Sequence, residues 1–221
     1  MTFIDPLSLD ADALANLIRR RVHHRPSERP IDDWRFGALA PARRVAVREY
    51  FPTNPTPAAV LVPLVAREEG LHVLLTERAE HLSHHAGQVS FPGGRIEQAD
   101  ADAESAALRE AEEEIGLAPK HVEVIGYLPD HLIISGYRVT PVVALVRPPF
   151  ELTIDAREVR AAFEVPLHYV LDSRNHVPRR REFRGESVEL IDLPYGPHTI
   201  WGATAGMLLT LQRLLCGEDL S

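Results

Sequence analysis

The sequence predicts one mixed α+β domain with an N-terminal helical extension, and three observations support this fold class. Short branched apolar runs alternate with polar turns, which is typical of strands, and other segments carry apolar residues at helical spacing between capping residues. No repeat of fixed period and no low-complexity tract interrupts this pattern. A chain of 221 residues with 45% hydrophobic content can bury one sizeable core, so wholesale disorder is excluded.

The N-terminal extension is predicted to contain one helix and an irregular arm. A helix is expected over residues 10–22, where Asp10 can cap a segment with apolar residues at helical spacing. Residues 23–57 are rich in Pro and Arg and show no sustained periodicity. We therefore divide the chain into residues 1–57, the helix and arm, and residues 58–221, the main domain.

The main domain begins with a predicted hairpin. Residues 58–65 and 71–76 are apolar runs on either side of a polar turn. A third strand over residues 89–91 is expected to end at Pro92-Gly93-Gly94, where two glycines let the backbone approach a ligand or ion closely. The other predicted elements are a helix over 103–115 between Asp102 and Gly116, strands over 122–128, 139–146 and 159–166, a short helix over 167–171, a hairpin over 180–183 and 188–191, and a helix over 202–215.

Charge and cysteine content exclude several classes of function. With 24 Lys and Arg against 32 Asp and Glu, the formal net charge is −8, which disfavours nonspecific binding to nucleic acid. Cys216 is the only cysteine, so neither an intrachain disulfide nor a cysteine-based zinc site can form. The sequence has no signal-like basic start and no uncharged apolar stretch of about 18 residues. We therefore expect a soluble, cytoplasmic protein that does not bind membranes.

Three glutamates crowd onto one face of the helix predicted over residues 103–115. At about 100° per residue, Glu110, Glu113 and Glu114 share an arc, where like charges and the helix dipole are both unfavourable. A solvated acidic surface is the ordinary explanation for such a face. A divalent cation such as Mg²⁺ would offset the repulsion, and a carbonyl from the preceding glycine turn could join it. Arg109 can hold one of the carboxylates in orientation.

Two segments resemble the Nudix box, commonly written G-x5-E-x7-R-E-U-x-E-E-x-G-U with U a bulky apolar residue. They are FPGG, from Phe91 to Gly94, and REAEEEIGL, from Arg109 to Leu117. The second segment matches every charged and glycine position of the pattern. The spacing between the segments is one residue longer than the pattern, and Ala101 stands where the first glutamate is expected. We expect Asp100 to take the place of that acid.

The resemblance implies a Nudix fold, in which a mixed β-sheet lies between helices. It also implies a divalent metal cofactor, Mg²⁺ or Mn²⁺, bound by carboxylates of the acidic helix and by the glycine turn. The implied ligands are the side chains of Glu110, Glu113 and Glu114 and the carbonyl of Gly93 or Gly94.

The segment from Leu74 to Gly94, LLTERAEHLSHHAGQVSFPGG, resembles the additional signature of the coenzyme A pyrophosphatase branch, L-L-T-x-R-[SA]-x3-R-x3-G-x3-F-P-G-G. Ser83 replaces the second arginine of that signature. The segment IWGATAGML, from Ile200 to Leu208, is also similar to this branch. The resemblance implies hydrolysis of CoA, or of an oxidised or acylated form, to 3′,5′-ADP and a 4′-phosphopantetheine product. The expected substrate contacts are Arg78, His85, Gly87 and Phe91.

The expected catalytic residues are a general base and the arginine that orients the carboxylates. Glu158 is our candidate base because the family often brings an acid from this region, and Glu113 is its rival. Arg109 is expected to hold the carboxylates in place.

Other functions stay open at this point. Ser83 leaves room for a hydrolase of another nucleoside diphosphate derivative, such as ADP-ribose or a dinucleotide. A Nudix-like module that only binds a nucleotide is a second alternative, although it would not need so crowded an acidic site. Isoprenoid diphosphate isomerases of this fold use a catalytic cysteine, for which Cys216 is poorly placed. His81, His84 and His85 show no convergent zinc geometry, and homodimerisation is undecided.

Overall fold

The computed structural model describes residues 5–26, 53–82, 86–133, 135–183 and 186–218. Within these ranges the chain forms four α-helices and eleven strands in two sheets. None of the described helices has the length and apolarity needed to cross a membrane. The α-helices are α1 (Ala11–Arg21), α2 (Ala103–Ile115), α3 (Leu167–Leu171) and α4 (Gly202–Leu215).

The larger sheet has eight strands and is mixed. Its central path runs in the order β3-β2-β1-β7-β5, while β4 pairs with β1, β6 with β7 and β8 with β2. β1 and β7 are parallel, and the other strand pairs of this sheet are antiparallel within the described residues. The strands are β1 (Thr56–Arg67), β2 (Gly70–Arg78), β3 (Val89–Ser90), β4 (Gly93–Arg95), β5 (Val122–Tyr127), β6 (His131–Ile133), β7 (Tyr137–Val146) and β8 (Val159–Pro166).

Both faces of the large sheet are covered by helices, because β1 and β7 are apolar on both sides. Leu61 belongs to one buried cluster with Ala111 of α2. Its neighbour Val62 belongs to the opposite cluster, with Leu14 of α1 and Leu208 of α4. Successive strand residues point to opposite faces, so the two cores lie on either side of the sheet. The expected α+β fold, a mixed sheet between helices, is confirmed.

The second sheet contains three antiparallel strands, β9 (Val177–Phe183), β10 (Glu186–Tyr195) and β11 (His198–Ile200). One of its faces packs into the core through Leu193 and Ile200, which are fully buried. The Thr204 hydroxyl of α4 donates a 3.0 Å hydrogen bond to the carbonyl of Val89 in β3. These contacts attach the second sheet next to the β3 end of the first.

The predicted helices agree with the structure, whereas the strands differ in two ways. β1, β9 and β10 extend beyond their predicted bounds, and β1 begins at Thr56, inside the predicted arm; three short strands also differ. The helices begin and end within one residue of the predicted bounds. The turn at Pro92-Gly93-Gly94 does not end the local sheet, because Gly93–Arg95 forms β4 and pairs with Ala58–Val60 of β1. β6 and β11 are absent from the prediction, since three residues are too few to show periodicity. Residues 27–52 of the predicted arm lie outside the described residues.

Candidate active site

Helix α2 has defined ends that fix the position of its glutamates. At the N-terminus the Asp102 carboxylate accepts a 2.8 Å hydrogen bond from the Ser105 backbone N–H, and the Asp102 N–H donates to the Ser105 hydroxyl. At the C-terminus Gly116 has a φ of +69°. A Cβ at Gly116 would lie 2.9 Å from the backbone nitrogen of Thr153, so both conformation and space require glycine.

The buried face of α2 consists largely of alanine. Ala106, Ala107 and Ala111 are fully buried against the sheet, together with Ile115. Small side chains let the helix approach the strands closely. The adjoining arc, which carries Glu110 and Glu114, is thereby brought against the glycine strand β4.

Glu114 is a buried carboxylate held against this strand. Its side chain is only 3% exposed, and it accepts a 3.3 Å hydrogen bond from the Gly93 N–H. Burial, followed by the nearby charge of Glu110, raises the pKa of Glu114 to about 8, while the hydrogen bond from Gly93 and the charge of Arg78 oppose the shift. Gly93 has a φ of +156°, and a Cβ there would lie 2.4 Å from the carbonyl oxygen of Ala59. Only glycine therefore allows β4 to lie this close to β1.

Glu110 is half-buried one turn before Glu114. Burial raises the pKa of its carboxyl, whereas the hydrogen bond from Arg109 lowers it. A Cβ at Gly94 would lie 2.4 Å from the Oε1 atom of Glu110. The backbone of β4 therefore lies directly against this carboxylate, and Gly94 leaves the space that the carboxylate occupies.

Arg109 is the centre of an ion-pair network on this helix. Its Nε and Nη2 atoms donate 3.0 Å hydrogen bonds to the two oxygens of Asp100. Its Nη1 atom donates 3.0 Å hydrogen bonds to both Glu110 and Glu113. The guanidinium lowers the pKa of Asp100. The structure thus places Asp100, and not the exposed Ala101, against Arg109.

Glu158 is attached to the same site through its backbone. The segment before it is bonded to the end of α2: Thr153 N–H donates to the Ile115 carbonyl and Asp155 N–H to the Glu114 carbonyl, both at 2.9 Å. The carbonyl of Glu158 accepts a 2.9 Å hydrogen bond from Ala79 N–H. The exposed Glu158 carboxylate is close enough for its charge to raise the pKa values of Glu110 and Glu114.

Arg78 lies at the end of β2, where it pairs with Val159, the residue after Glu158. Its charge lowers the pKa of Glu114. Arg78 is half-buried, and among the described residues its Nε atom is buried without a hydrogen-bond partner. Its backbone closes the following loop, since Arg78 N–H donates to the Gln88 carbonyl and Gly87 N–H donates to the Arg78 carbonyl. Gly87 has a φ of +68°, a conformation that favours glycine.

The remaining predicted site residues are either exposed, buried in the core, or outside the described residues. Glu113 is exposed and is held by Arg109. Phe91 is 3% exposed and belongs to the hydrophobic core, so the structure does not present its side chain to a substrate; we assign it a packing role instead. His85 lies outside the described residues, as does Ser83. The described His81 contacts the carbonyl of Arg157 at 3.0 Å.

In this structure the carboxylates form only part of a binding site for a divalent cation. Among the described residues, no three His, Cys, Asp or Glu side chains converge in a ready-made metal site. Glu110 and Glu114 nevertheless repel each other in a buried position where both pKa values are raised. A hard divalent cation would offset that repulsion and is suited to carboxylate oxygens. Sequence reasoning named Glu158 but not the preceding residues Thr153 and Asp155, because they contribute through backbone hydrogen bonds.

Comparisons with known proteins agree with this geometry. A family model described as NUDIX domain matches residues 55–184. The chain is 45% identical over 159 residues to the uncharacterized Nudix hydrolase NudL of Escherichia coli, covering 72% of this chain and 82% of that protein. The protein of the same name from Shigella flexneri is 45% identical over 161 residues, covering 72% and 83%.

Among solved structures, a MutT/nudix family protein from Enterococcus faecalis is 18% identical with a TM-score of 0.47, covering 78% of this chain and 68% of that one. A likeness of this extent carries no conclusion about the substrate. The family model, in contrast, covers more than half of the chain, and the relatives align over most of their own length. The chain belongs to the Nudix family and is a hydrolase of nucleoside diphosphate derivatives.

Proposed function

We propose that the protein hydrolyses the diphosphate bond of CoA, or of a CoA derivative, to 3′,5′-ADP and 4′-phosphopantetheine or its derivative. The observation that carries this proposal is the position of Arg78, an arginine of the CoA-branch signature. Its charge acts on Glu114, and its buried Nε has no hydrogen-bond partner among the described residues. A guanidinium is well suited to phosphate oxygens, so a diphosphate beside Glu114 would provide the missing partner.

Other residues of the signature segment have packing roles. Leu74 and Leu75 lie in the two opposite cores, and Ala79 is 4% exposed. These residues fix the end of β2, so that Arg78 cannot move far from the acidic helix. The signature therefore supports a substrate contact at Arg78 and packing around it.

The metal in this proposal is Mg²⁺ or Mn²⁺, held by Glu110, Glu114 and Glu113, with a carbonyl of Gly93 or Gly94. When bound, such ions neutralise diphosphate oxygens and acidify an attacking water. Of these groups, Glu110 and Glu114 have the buried position and the raised pKa values that favour a cation as partner.

The residues of the chain have separate tasks in the cleavage. Arg109 keeps Glu110 and Glu113 in place through its own pairing with Asp100. Arg78 binds phosphate oxygens. The carboxylate of Glu158 accepts a proton from the water that attacks phosphorus, and the bond to the bridging oxygen breaks as the leaving phosphate departs. Glu113 is the rival base, although its pairing with Arg109 makes it a weaker candidate.

The principal alternative is a different nucleoside diphosphate substrate, such as ADP-ribose or a dinucleotide. Ser83 is the observation that favours it, because the CoA-branch signature has an arginine at this position. A module that binds nucleotides without cleaving them is less favoured, since it would not need two repelling buried carboxylates. We place the protein in the cytoplasm, where its exposed Cys216 would stay reduced.

Product analysis tests this proposal. Purified protein would be incubated with Mg²⁺ and, separately, with CoA, ADP-ribose and a dinucleoside polyphosphate, and the products separated by chromatography. We expect 3′,5′-ADP from CoA at the highest rate, and loss of this product in Glu113→Gln. Faster cleavage of ADP-ribose would instead support the alternative, a hydrolase of another nucleoside diphosphate derivative. No cleavage with either Mg²⁺ or Mn²⁺ would favour the binding module.

A further inference from the structure

A short turn over residues 79–82 follows Arg78 and lies beside the candidate base. Leu82 N–H donates a 3.3 Å hydrogen bond to the Ala79 carbonyl, which closes the turn. Ala79 is buried, whereas the two residues after it are exposed. We call this segment the arginine turn. Its buried first residue fixes it directly to the end of β2.

The candidate base, Glu158, ends a second turn, over residues 155–158, which we call the base turn. Glu158 N–H donates a 3.0 Å hydrogen bond to the Asp155 carbonyl. The Asp155 carboxylate accepts a 2.9 Å hydrogen bond from the Arg157 N–H. Asp155 N–H donates in turn to the Glu114 carbonyl of α2 at 2.9 Å. The first residue of the base turn is therefore fixed to the acidic helix.

Two hydrogen bonds join the arginine turn to the other end of the base turn. Ala79 N–H donates a 2.9 Å hydrogen bond to the Glu158 carbonyl. The Nε2 atom of His81 lies 3.0 Å from the Arg157 carbonyl oxygen. A carbonyl oxygen only accepts, so Nε2 carries the proton of this hydrogen bond. The base turn is thus held between the acidic helix and the arginine turn.

These two bonds act on the peptide groups on either side of the Glu158 Cα atom. The Arg157 carbonyl belongs to the peptide group before that atom, and the Glu158 carbonyl belongs to the one after it. Because each peptide group is planar, a bond to its carbonyl restricts rotation of the whole group. His81 and Ala79 together therefore restrict both backbone dihedral angles of Glu158. They fix the direction in which its side chain leaves the backbone.

The carboxylate of Glu158 depends on this backbone restraint for its orientation. It is exposed and, within the part of the chain that the structure describes, has no hydrogen-bond or ion-pair partner. Its charge nevertheless acts on both Glu110 and Glu114, so it lies close to the acidic helix. A general base must lie within hydrogen-bond reach of the proton that it takes. The direction set by the backbone is therefore the one that the reaction uses.

We propose that His81 is a positioning residue for the reaction: its hydrogen bond to the Arg157 carbonyl directs the Glu158 carboxylate towards the attacking water. The inference rests on the proposed function, in which Glu158 is the base, but it does not depend on which nucleotide is cleaved. Arg78 and His81 belong to one short segment. Phosphate binding and orientation of the base are thus assigned to two residues that lie three positions apart.

Two substitutions of His81 separate its hydrogen bond from the mere presence of a side chain. His81→Leu removes the donor, whereas His81→Gln places an amide N–H close to the position of Nε2. Glu80→Leu is the matched control, because it changes the same turn and breaks an exposed ion pair with Arg160.

The measured quantities are the single-turnover rate at saturating substrate and KM. We expect His81→Leu to lower the rate by about tenfold with less than about twofold change in KM, since a displaced base slows the chemical step without weakening binding. His81→Gln and Glu80→Leu should stay within about twofold of the wild-type rate. An equal loss of rate in His81→Leu and His81→Gln would overturn the inference.

A double-mutant cycle shows whether His81 acts through Glu158. Glu158→Gln removes the base and should lower the single-turnover rate by about 100-fold or more. In that background His81→Leu should have no further effect, because the group that it orients is absent. The same loss from His81→Leu in both backgrounds would contradict the positioning role, as would a wild-type rate in Glu158→Gln.

Measurement of the cycle with CoA and with ADP-ribose separates failure of this inference from failure of the proposed function. If only ADP-ribose is cleaved and the cycle holds, the positioning role is supported although the proposed substrate is wrong. If CoA is cleaved but His81→Leu keeps the wild-type rate, the inference is wrong although the proposed function stands. Cleavage of neither substrate would overturn both.

Amide hydrogen exchange of the metal-free protein tests the contact itself. Without the His81 bond the base turn should open more often, so the Ala79 and Glu158 amides should exchange faster in His81→Leu but not in His81→Gln. Unchanged exchange in His81→Leu would contradict the contact. Faster exchange throughout the domain would show general destabilisation and would also contradict the positioning role.

Discussion

Arg109 and Asp100 face each other through two hydrogen bonds of 3.0 Å, and the same guanidinium reaches Glu110 and Glu113. Asp100 is almost completely buried in this pair. Asp100, one residue before the position expected for the acid, therefore orients Arg109. Arg109 in turn orients the two glutamates. The extra residue in the loop is accommodated without loss of the network.

This relationship predicts the effect of removing Asp100. Asp100→Ala should lower kcat by about 10- to 100-fold, because outer partners of a metal site act on the ligands at this scale. The folded state should be retained, which thermal unfolding would check. Asp100→Ala/Ala101→Glu, which restores the consensus acid, should not recover activity, since residue 101 is exposed and does not reach Arg109. Full recovery would contradict the assignment.

Glu114 should destabilise the metal-free protein as the pH rises. Its pKa is raised from an ordinary value of 4.5 to about 8, so the folded state binds the proton more tightly than the unfolded state. The associated stability is fully present below 4.5 and is lost as the pH rises through 8. Glu114→Gln should therefore match wild type near about pH 5 and be more stable near about pH 9. Urea unfolding measures this, with the exposed Glu112→Gln as the control that should show no such gain.

His131 should make the protein less stable in mild acid. Its ring is buried and lies 3.2 Å from the Thr210 hydroxyl, and burial lowers its pKa from 6.5 to about 4. The unfolded state then binds the proton more tightly, so stability is present above 6.5 and falls as the pH decreases towards 4, by about 3 kcal/mol in all. Unfolding of wild type, His131→Gln and the exposed His24→Gln at several pH values checks this. Only the first substitution should flatten the profile.

Substitution of the two glycines of β4 by alanine should have different effects on stability and activity. A Cβ at Gly93 would meet the backbone of Ala59, which cannot move without disturbing β1, so Gly93→Ala should destabilise the fold by about 2 kcal/mol or more. A Cβ at Gly94 would meet only the end of the Glu110 side chain, which can rotate. Gly94→Ala should therefore fold but lose metal affinity and activity. Thermal unfolding and Mg²⁺ titration distinguish the two; equal effects would argue against the close approach of β4 to Glu110.

The helix of the site could be predicted from sequence because its signals are local. Asp102 and Gly116 mark its ends, and the glutamates follow one arc of the helix. β4 could not be predicted, because glycine has low strand propensity and pairs here for reasons of space. The position of Glu158 depends on the backbone hydrogen bonds of Thr153 and Asp155 to α2, which leave no pattern in the side chains. Phe91 also belongs to the motif, but its burial in the core depends on tertiary packing that the motif does not show.

The most direct test of α2 as the catalytic helix is CoA hydrolysis by Glu114→Gln and Glu112→Gln, measured side by side with saturating Mg²⁺. Glu114 is buried against Gly93, while Glu112 is exposed on the same helix, so the two changes are chemically identical and differ only in position. We expect kcat to fall by about 10³-fold or more in Glu114→Gln, since a carboxylate lost from the metal site removes stabilisation of the transition state. Glu112→Gln should keep wild-type kinetics. Equal activity of the two variants would contradict the assignment of this helix as the catalytic element.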